Sequence, residues 1–332
     1  MKKIILLMLS VILVMSALTA CGKSEGAKTG MAIVTSRSKS SDAGEKEGLA
    51  QTDSTAVAVL VDEKGVIRNC VIDVVQTKIY FSATGEITTN LTDTFPSKNE
   101  LKEGYNMKDS SPIGKEWYEQ AAALAEYVTG KTVAEVKGIA IEEGRLTNED
   151  ITGSVTILVA DIMDAIVKAV DNAQDLGASV NDKLGLGIVG TISGKHCKNA
   201  TDEADGNSQA YTHYAAVTLD KNGKITSSII DASQSNIAFN KEGKITTDLT
   251  EVVETKLELG LGYNMKAASP IGKEWFEQSK AFSDYIKGKT VNDVTGIALS
   301  EGVATDEDLK SSVTITIGDF IEAVKKAGAT AK

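Results

Sequence analysis

The chain has 332 residues, with 35 Lys and Arg against 46 Asp and Glu, a formal net charge of −11 and 5% aromatic residues. A surface this acidic excludes nucleic acid and anionic headgroups as electrostatic partners. The two histidines and three cysteines are too few and too unevenly spread for a disulfide framework or a histidine-based centre that recurs along the chain.

Residues 1–20 read as an export signal: Lys2-Lys3, an apolar run over 4–14, then Leu18-Thr19-Ala20 before Cys21. The run falls short of the ~20 apolar residues that span a bilayer. The small residues ahead of Cys21 resemble a bacterial lipobox. The resemblance implies a lipoprotein signal peptide over 1–20, lipidation of Cys21, and a chain held on the extracytoplasmic face of the cell membrane. A plain signal peptide with a chance cysteine is the alternative. Residues 21–30 are small and polar and read as a lipidated tether.

Beyond the tether the text is written twice. Gly104-Tyr-Asn-Met-Lys108 and Ser111-Pro-Ile-Gly-Lys-Glu-Trp117 recur 158 positions later as Gly262-Tyr-Asn-Met-Lys266 and Ser269-Pro-Ile-Gly-Lys-Glu-Trp275. Such duplication predicts two tandem domains, 31–172 and 185–332, joined by a linker over 173–184. Each is long enough for its own core, so the copies are expected to fold independently with modest mutual contact.

In each copy Ala56–Val61, Asp62-Glu-Lys-Gly65 and Val66–Val75 (Ala215–Leu219, Asp220–Gly223 and Lys224–Ile230 in the second) predict an antiparallel hairpin with glycine closing the turn. A helix is predicted from Ser111-Pro112, with Ser111 as N-cap and a stripe of Trp117, Ala121, Leu124 and Val128, ending at Gly130. Thr132-Val-Ala-Glu135 and Thr290-Val-Asn-Asp293 read as capping boxes of a second, short helix. A third helix is expected over 161–170 and 319–327. Hairpins with short helices give an α+β fold with a mainly antiparallel sheet in each copy.

The chain has no P-loop, its Gly-x-Ser-x-Gly match at 22–26 falls in the small polar stretch read as a tether, and no Gly-x-Gly-x-x-Gly opens a predicted helix. His196, Cys197 and His213 lack zinc-site spacing and have no counterpart in the first copy. Glu142-Glu143 reads as a solvated loop. What remains is Asp150-Ile-Thr-Gly-Ser-Val-Thr156 and its duplicate Asp308-Leu-Lys-Ser-Ser-Val-Thr314, each just ahead of the last helix.

These segments resemble the flavinylation motif of the FMN-binding domain family, Asp-x-x-Ser-Gly-Ala-Thr, with Ser154-Val155 and Ser312-Val313 standing where the family has Gly-Ala. Ser111–Gly114 with Gly130-Lys131, and Ser269–Gly272 with Gly288-Lys289, match the order of the family's Glu-Thr-Pro-Gly loop and its following Gly-Lys pair. The resemblance implies two tandem FMN-binding-like domains. Each would carry one covalent FMN as a phosphothreonyl ester on Thr156 or Thr314, attached by a flavin transferase of the ApbE type. Asp150 and Asp308 are then the motif acids, with Ser154 and Ser312 beside the acceptors.

Tyr105 and Tyr263 are candidates to face the flavin, whereas Trp117 and Trp275 read first as core. With the lipobox, the whole chain resembles the flavinylated lipoproteins of Gram-positive extracellular electron transfer. That implies an electron carrier between a membrane donor and small extracellular acceptors. Two alternatives stand beside it. Val155–Val159 and Val313–Ile317 are also plain strand text with solvent-facing threonines, and the chain reads equally as a non-redox ligand-binding or surface-interaction lipoprotein that kept the fold and lost the flavin.

Overall fold

The computed structural model describes residues 25–332, so the signal peptide and Cys21 lie outside the described residues. Strands β1 (Gly26–Ser36), β2 (Gly48–Asp62) and β3 (Ile67–Phe81) are followed by β4 (Thr94–Phe95) and the helices α1 (Lys98–Leu101), α2 (Trp117–Val128) and α3 (Val133–Lys137). A small hairpin, β5 (Ile141–Glu142) and β6 (Arg145–Leu146), leads to α4 (Glu149–Thr152) and α5 (Ala160–Asp171). Then β7 (Gln174–Ser179), β8 (Lys183–Ile192), β9 (Gly206–Leu219) and β10 (Ile225–Phe239) precede α6 (Lys256–Leu259), α7 (Trp275–Ile286) and α8 (Val291–Thr295). The hairpin β11 (Leu299–Ser300) and β12 (Val303–Ala304), α9 (Glu307–Lys310) and α10 (Gly318–Thr330) complete the chain. The fold is α+β, with antiparallel sheets ordered β3-β2-β1-β7 and β10-β9-β8-β4.

The predicted hairpin is β2–β3, with Gly65 at φ 78° closing its turn, and Gly223 at φ 75° does the same for β9–β10. Both capping boxes exist: Thr132 and Glu135 cap α3, Thr290 and Asp293 cap α8. The helix expected from Ser111 starts later, at Trp117. Ser111 instead opens a turn closed by Gly114 at φ 62°. Glu116 takes the capping position because its buried carboxylate accepts from the Met107 and Lys108 amides, which fixes the preceding loop to the helix start.

The layers are helices, sheet, sheet, helices. One face of β2, with Val57, Val59 and Val61, packs on α2 and α5, while the other, with Ala56, Ala58 and Leu60, packs on Leu184, Leu186 and Ile188 of the second sheet. A strand buried on both faces needs a continuous apolar run, which is what residues 56–61 provide. The interface is a pseudo-twofold: Lys168 on α5 pairs with Glu258 on α6, and the equivalent Lys326 on α10 pairs with Glu100 on α1 at 2.7 Å.

Two boundaries therefore move. Residues 26–30 belong to β1 rather than to a tether, because Gly30 lets α5 approach so closely that a Cβ there would lie 1.9 Å from the Ala169 carbonyl oxygen. Most of the expected linker is also structural: Gln174–Ser179 forms β7 against β1, with Ala178 buried, and Leu184 is buried inside β8. The two copies share a central apolar layer, so they are repeats within one packed body and not loosely joined modules.

Candidate functional site

Thr156 does not lie on a strand. Residues 153–159 join α4 to α5 outside any ladder, so the strand alternative for this segment is not realised. One side chain holds the threonine: the fully buried Gln120 on α2, whose carbonyl oxygen accepts from the Thr156 amide (2.8 Å), the Thr156 hydroxyl (3.2 Å) and the Ile157 amide (3.2 Å). The Gln120 amide group in turn donates to Ser111 Oγ and to the Lys115 carbonyl, both at 3.1 Å. Ser111 thus serves the site even though it does not cap the helix. The second repeat reproduces the arrangement, with Gln278 accepting from the Thr314 amide (2.8 Å) and hydroxyl (3.2 Å) and donating to Ser269.

Thr156 opens onto a cleft of about 590 Å³ whose wall includes Tyr105, Trp117, Lys98, Asp53 and the first turn of α5. That volume lies within the ~300–1,000 Å³ range of small-molecule and cofactor sites. Trp117 is core and cleft wall at once, 4% exposed yet lining the cavity. Tyr105 is half-buried, on a loop that turns through Asn106 at φ 58°, a conformation asparagine tolerates.

Lys98 was not singled out by sequence reasoning. It is 8% exposed, with Nζ 4.6 Å from the Tyr105 ring centre and 4.9 Å from that of Trp117. Among the described residues it has no ion-pair partner, whereas Lys39 pairs with Asp53 at 2.8 Å. Burial lowers its pKa to about 8. The signal was present: Ser97-Lys-Asn-Glu100 and Thr255-Lys-Leu-Glu258 are capping boxes with the same lysine in both repeats. Behind each box a buried aspartate, Asp73 or Asp231, accepts from the Asn99 amide (3.0 Å) or the Leu257 amide (3.1 Å), and burial raises both carboxyl pKa values to about 7.

Of the predicted residues, the structure brings Thr156 and Tyr105 to one cleft. Asp150 and Asp308 are exposed on the short helices α4 and α9 and do not join the threonines. Ser154 meets Lys115 Nζ at 3.4 Å and is not on the cleft wall, and in the second repeat Ser312 meets Ser311 at 3.4 Å. In the second repeat Tyr263 donates to Gln234 at 3.3 Å and lies beneath Lys256, 4.5 Å from Nζ to the ring centre. Cys197 and His213 sit in separate packing groups, Cys197 beside Phe239 and His213 between Tyr211 and Phe320.

The donor set fits an FMN phosphoester. A hydroxyl held at the cleft wall, two aromatic rings, an unpaired buried cation and the free amides at the start of a 12-residue helix suit a flat ring system ending in a phosphate. Arg145 and the Asp53-paired Lys39 are two further cations on the wall, while Asp161 in the first turn of α5 opposes them.

No family model matches the chain, and no solved structure matches it. A chlorophenol reductase of Desulfitobacterium hafniense is 54% identical over 41 residues, which is 12% of this chain and 12% of that protein.

Proposed function

We propose that the protein is a lipid-anchored, extracytoplasmic electron carrier with FMN esterified to Thr156. The observation that carries the reading is the convergence of the Thr156 hydroxyl, Tyr105, Trp117 and the unpaired Lys98 on one cleft. Attachment would form the Thr156 Oγ1–P bond and break the bond from that phosphorus to the leaving group of the transferase's activated flavin donor, and that leaving group would carry away the hydroxyl proton. Bound FMN would supply reversible electron uptake.

The chain's own residues do the rest. Gln120 orients Thr156 and keeps two backbone donors, Thr156 N and Ile157 N, after the hydroxyl proton is gone. Lys98 supplies positive charge in a poorly solvated pocket, where it favours a ligand that gains negative charge. Trp117 and Tyr105 offer ring faces and exclude water. A carrier outside the cell has no internal cofactor pool to draw on, which favours covalent attachment. The short likeness to a chlorophenol reductase spans too little of either chain to bear on donor or acceptor.

Co-expression with a flavin transferase of the ApbE type, followed by denaturing electrophoresis, tests the reading: the band should fluoresce under ultraviolet light, and Thr156→Ala should be dark. A dark wild-type band would favour the non-redox ligand-binding lipoprotein.

A further inference from the structure

The two repeats share the threonine and its glutamine but not the space in front of them. Ladder register makes the comparison position by position: Asp53 faces Gln76 and Thr55 faces Val74 in β2–β3, as Tyr211 faces Gln234 and His213 faces Ala232 in β9–β10. Asp53, Thr55 and Ile162 line the open cleft of the first repeat. Their counterparts are Tyr211, His213 and Phe320, each larger.

These three side chains pack on one another. Tyr211 and His213 lie with ring centres 4.3 Å apart, His213 and Phe320 5.7 Å, and Phe320 meets the edge of Trp275 at 5.6 Å. His213 is 4% and Phe320 1% exposed. Ala232 in place of Val74 gives the His213 ring its room. Lys256 stands over the Tyr263 and Trp275 rings as Lys98 stands over Tyr105 and Trp117, but it has a further partner: Nζ donates to the Tyr211 hydroxyl at 2.6 Å and lies over the Tyr211 ring. Arg145 on the wall of the first cleft becomes Val303, so a cation for the phosphate is lost too.

We infer that Thr156 alone carries flavin, and that Tyr211, His213 and Phe320 fill in the second repeat the volume that the first leaves for the isoalloxazine ring. These are the residues that determine which threonine is loaded. Dense aromatic packing does not yield such a volume without unstacking the rings and uncovering Lys256. The second repeat then serves as the packing partner of the first, keeping the Gln278–Thr314 bond as part of its fold. The inference rests on the flavin reading proposed above.

Intact-mass and peptide mapping of the full mature chain, co-expressed with the transferase, tests it. The wild type should gain one FMN increment, on the peptide containing Thr156, and Thr314→Ala should gain the same one. The variant Y211D/H213T/F320I, if it folds, should gain a second increment on Thr314. Two increments in the wild type would overturn the inference and leave the flavin reading standing, whereas a single increment on Thr314 would overturn both the inference and the placement of flavin on Thr156. No increment on either threonine would sink the flavin reading, and the inference with it. Wild-type mapping decides the matter even if the triple variant does not fold.

Discussion

Phe81 and Phe239 are equivalent residues of the two repeats, and they stack on each other across the pseudo-twofold with ring centres 4.2 Å apart and planes 4° from parallel. Both are fully buried. The contact exists only when both repeats are present, as do the Thr29–Ser227 and Thr52–Ser235 hydroxyl bonds. Residues 183–332 expressed alone would therefore expose Leu184, Leu186, Ile188 and Tyr214 and should aggregate or melt without cooperativity. The full chain should unfold in one transition, and Phe81→Ala should lower its stability by about 3–5 kcal/mol in a denaturant titration. A soluble, cooperatively melting 183–332 fragment would contradict the shared core.

Gln120→Leu removes the acceptor of two backbone amides and the donor to Ser111. Each amide left without a partner costs about 1–3 kcal/mol. The variant should be less stable in chemical denaturation and should carry less flavin. Flavin loading at the wild-type level would show that Gln120 does not position Thr156.

Lys98→Met should act in opposite directions on stability and redox potential. Burial holds the Lys98 pKa below its unfolded value, at about 8, so the folded state binds fewer protons between about pH 8 and 10.5. Stability should rise with pH in that window, and the variant should lack the rise. With the cation gone, the flavin midpoint potential should fall by roughly 30 mV for each 1.4 kcal/mol of lost attraction. An unchanged potential would place Lys98 away from the flavin.

Much of the fold was legible in the sequence. Glycine at the hairpin turns, the capping boxes at Thr132 and Thr290, and the apolar periodicity of α5 and α10 are local signals, and the structure contains each of them. The stacking of the repeats was not legible, because β2 is apolar on both faces and its run fits a strand under one layer of helices as well as one between two layers. Lys98 and Gln120 were missed for a related reason. Each is a polar residue on a face that composition marks as surface or core, and only the tertiary fold turns it into the cleft. The helix start at Trp117 was misjudged because Ser-Pro is a strong local start signal, overridden here by the buried Glu116 carboxylate.

Acid should expose two opposed contributions. Burial lowers the His213 pKa to about 3; Lys256 lies nearby, and Asp319 Oδ2 sits 3.3 Å from Nδ1 without the alignment of a hydrogen bond. Between about pH 6.5 and 3 the unfolded state binds more protons at this residue, so its contribution to stability is lost as pH falls. Asp73 and Asp231, with pKa values raised to about 7, bind protons in the folded state between about pH 3.8 and 7, so their contributions are lost as pH rises. Thermal melts across pH 4–7 should show a shallower acid loss in His213→Thr and a steeper one in Asp73→Asn. Identical profiles in all three proteins would contradict the assignment.

Under the proposed lipid anchor, Cys21→Ser should abolish incorporation of labelled fatty acid and release the chain into the medium, because a single acylated cysteine would be what retains the acidic chain at the membrane. Persistent label in the variant would place the anchor elsewhere.

The most direct test of covalent flavin on Thr156 is tandem mass spectrometry of its peptide from the mature chain after co-expression with a transferase. The account predicts a phosphodiester-linked FMN localised to Thr156 and absent from Thr156→Ala. An unmodified wild-type peptide under conditions where the transferase flavinylates a control substrate would contradict it.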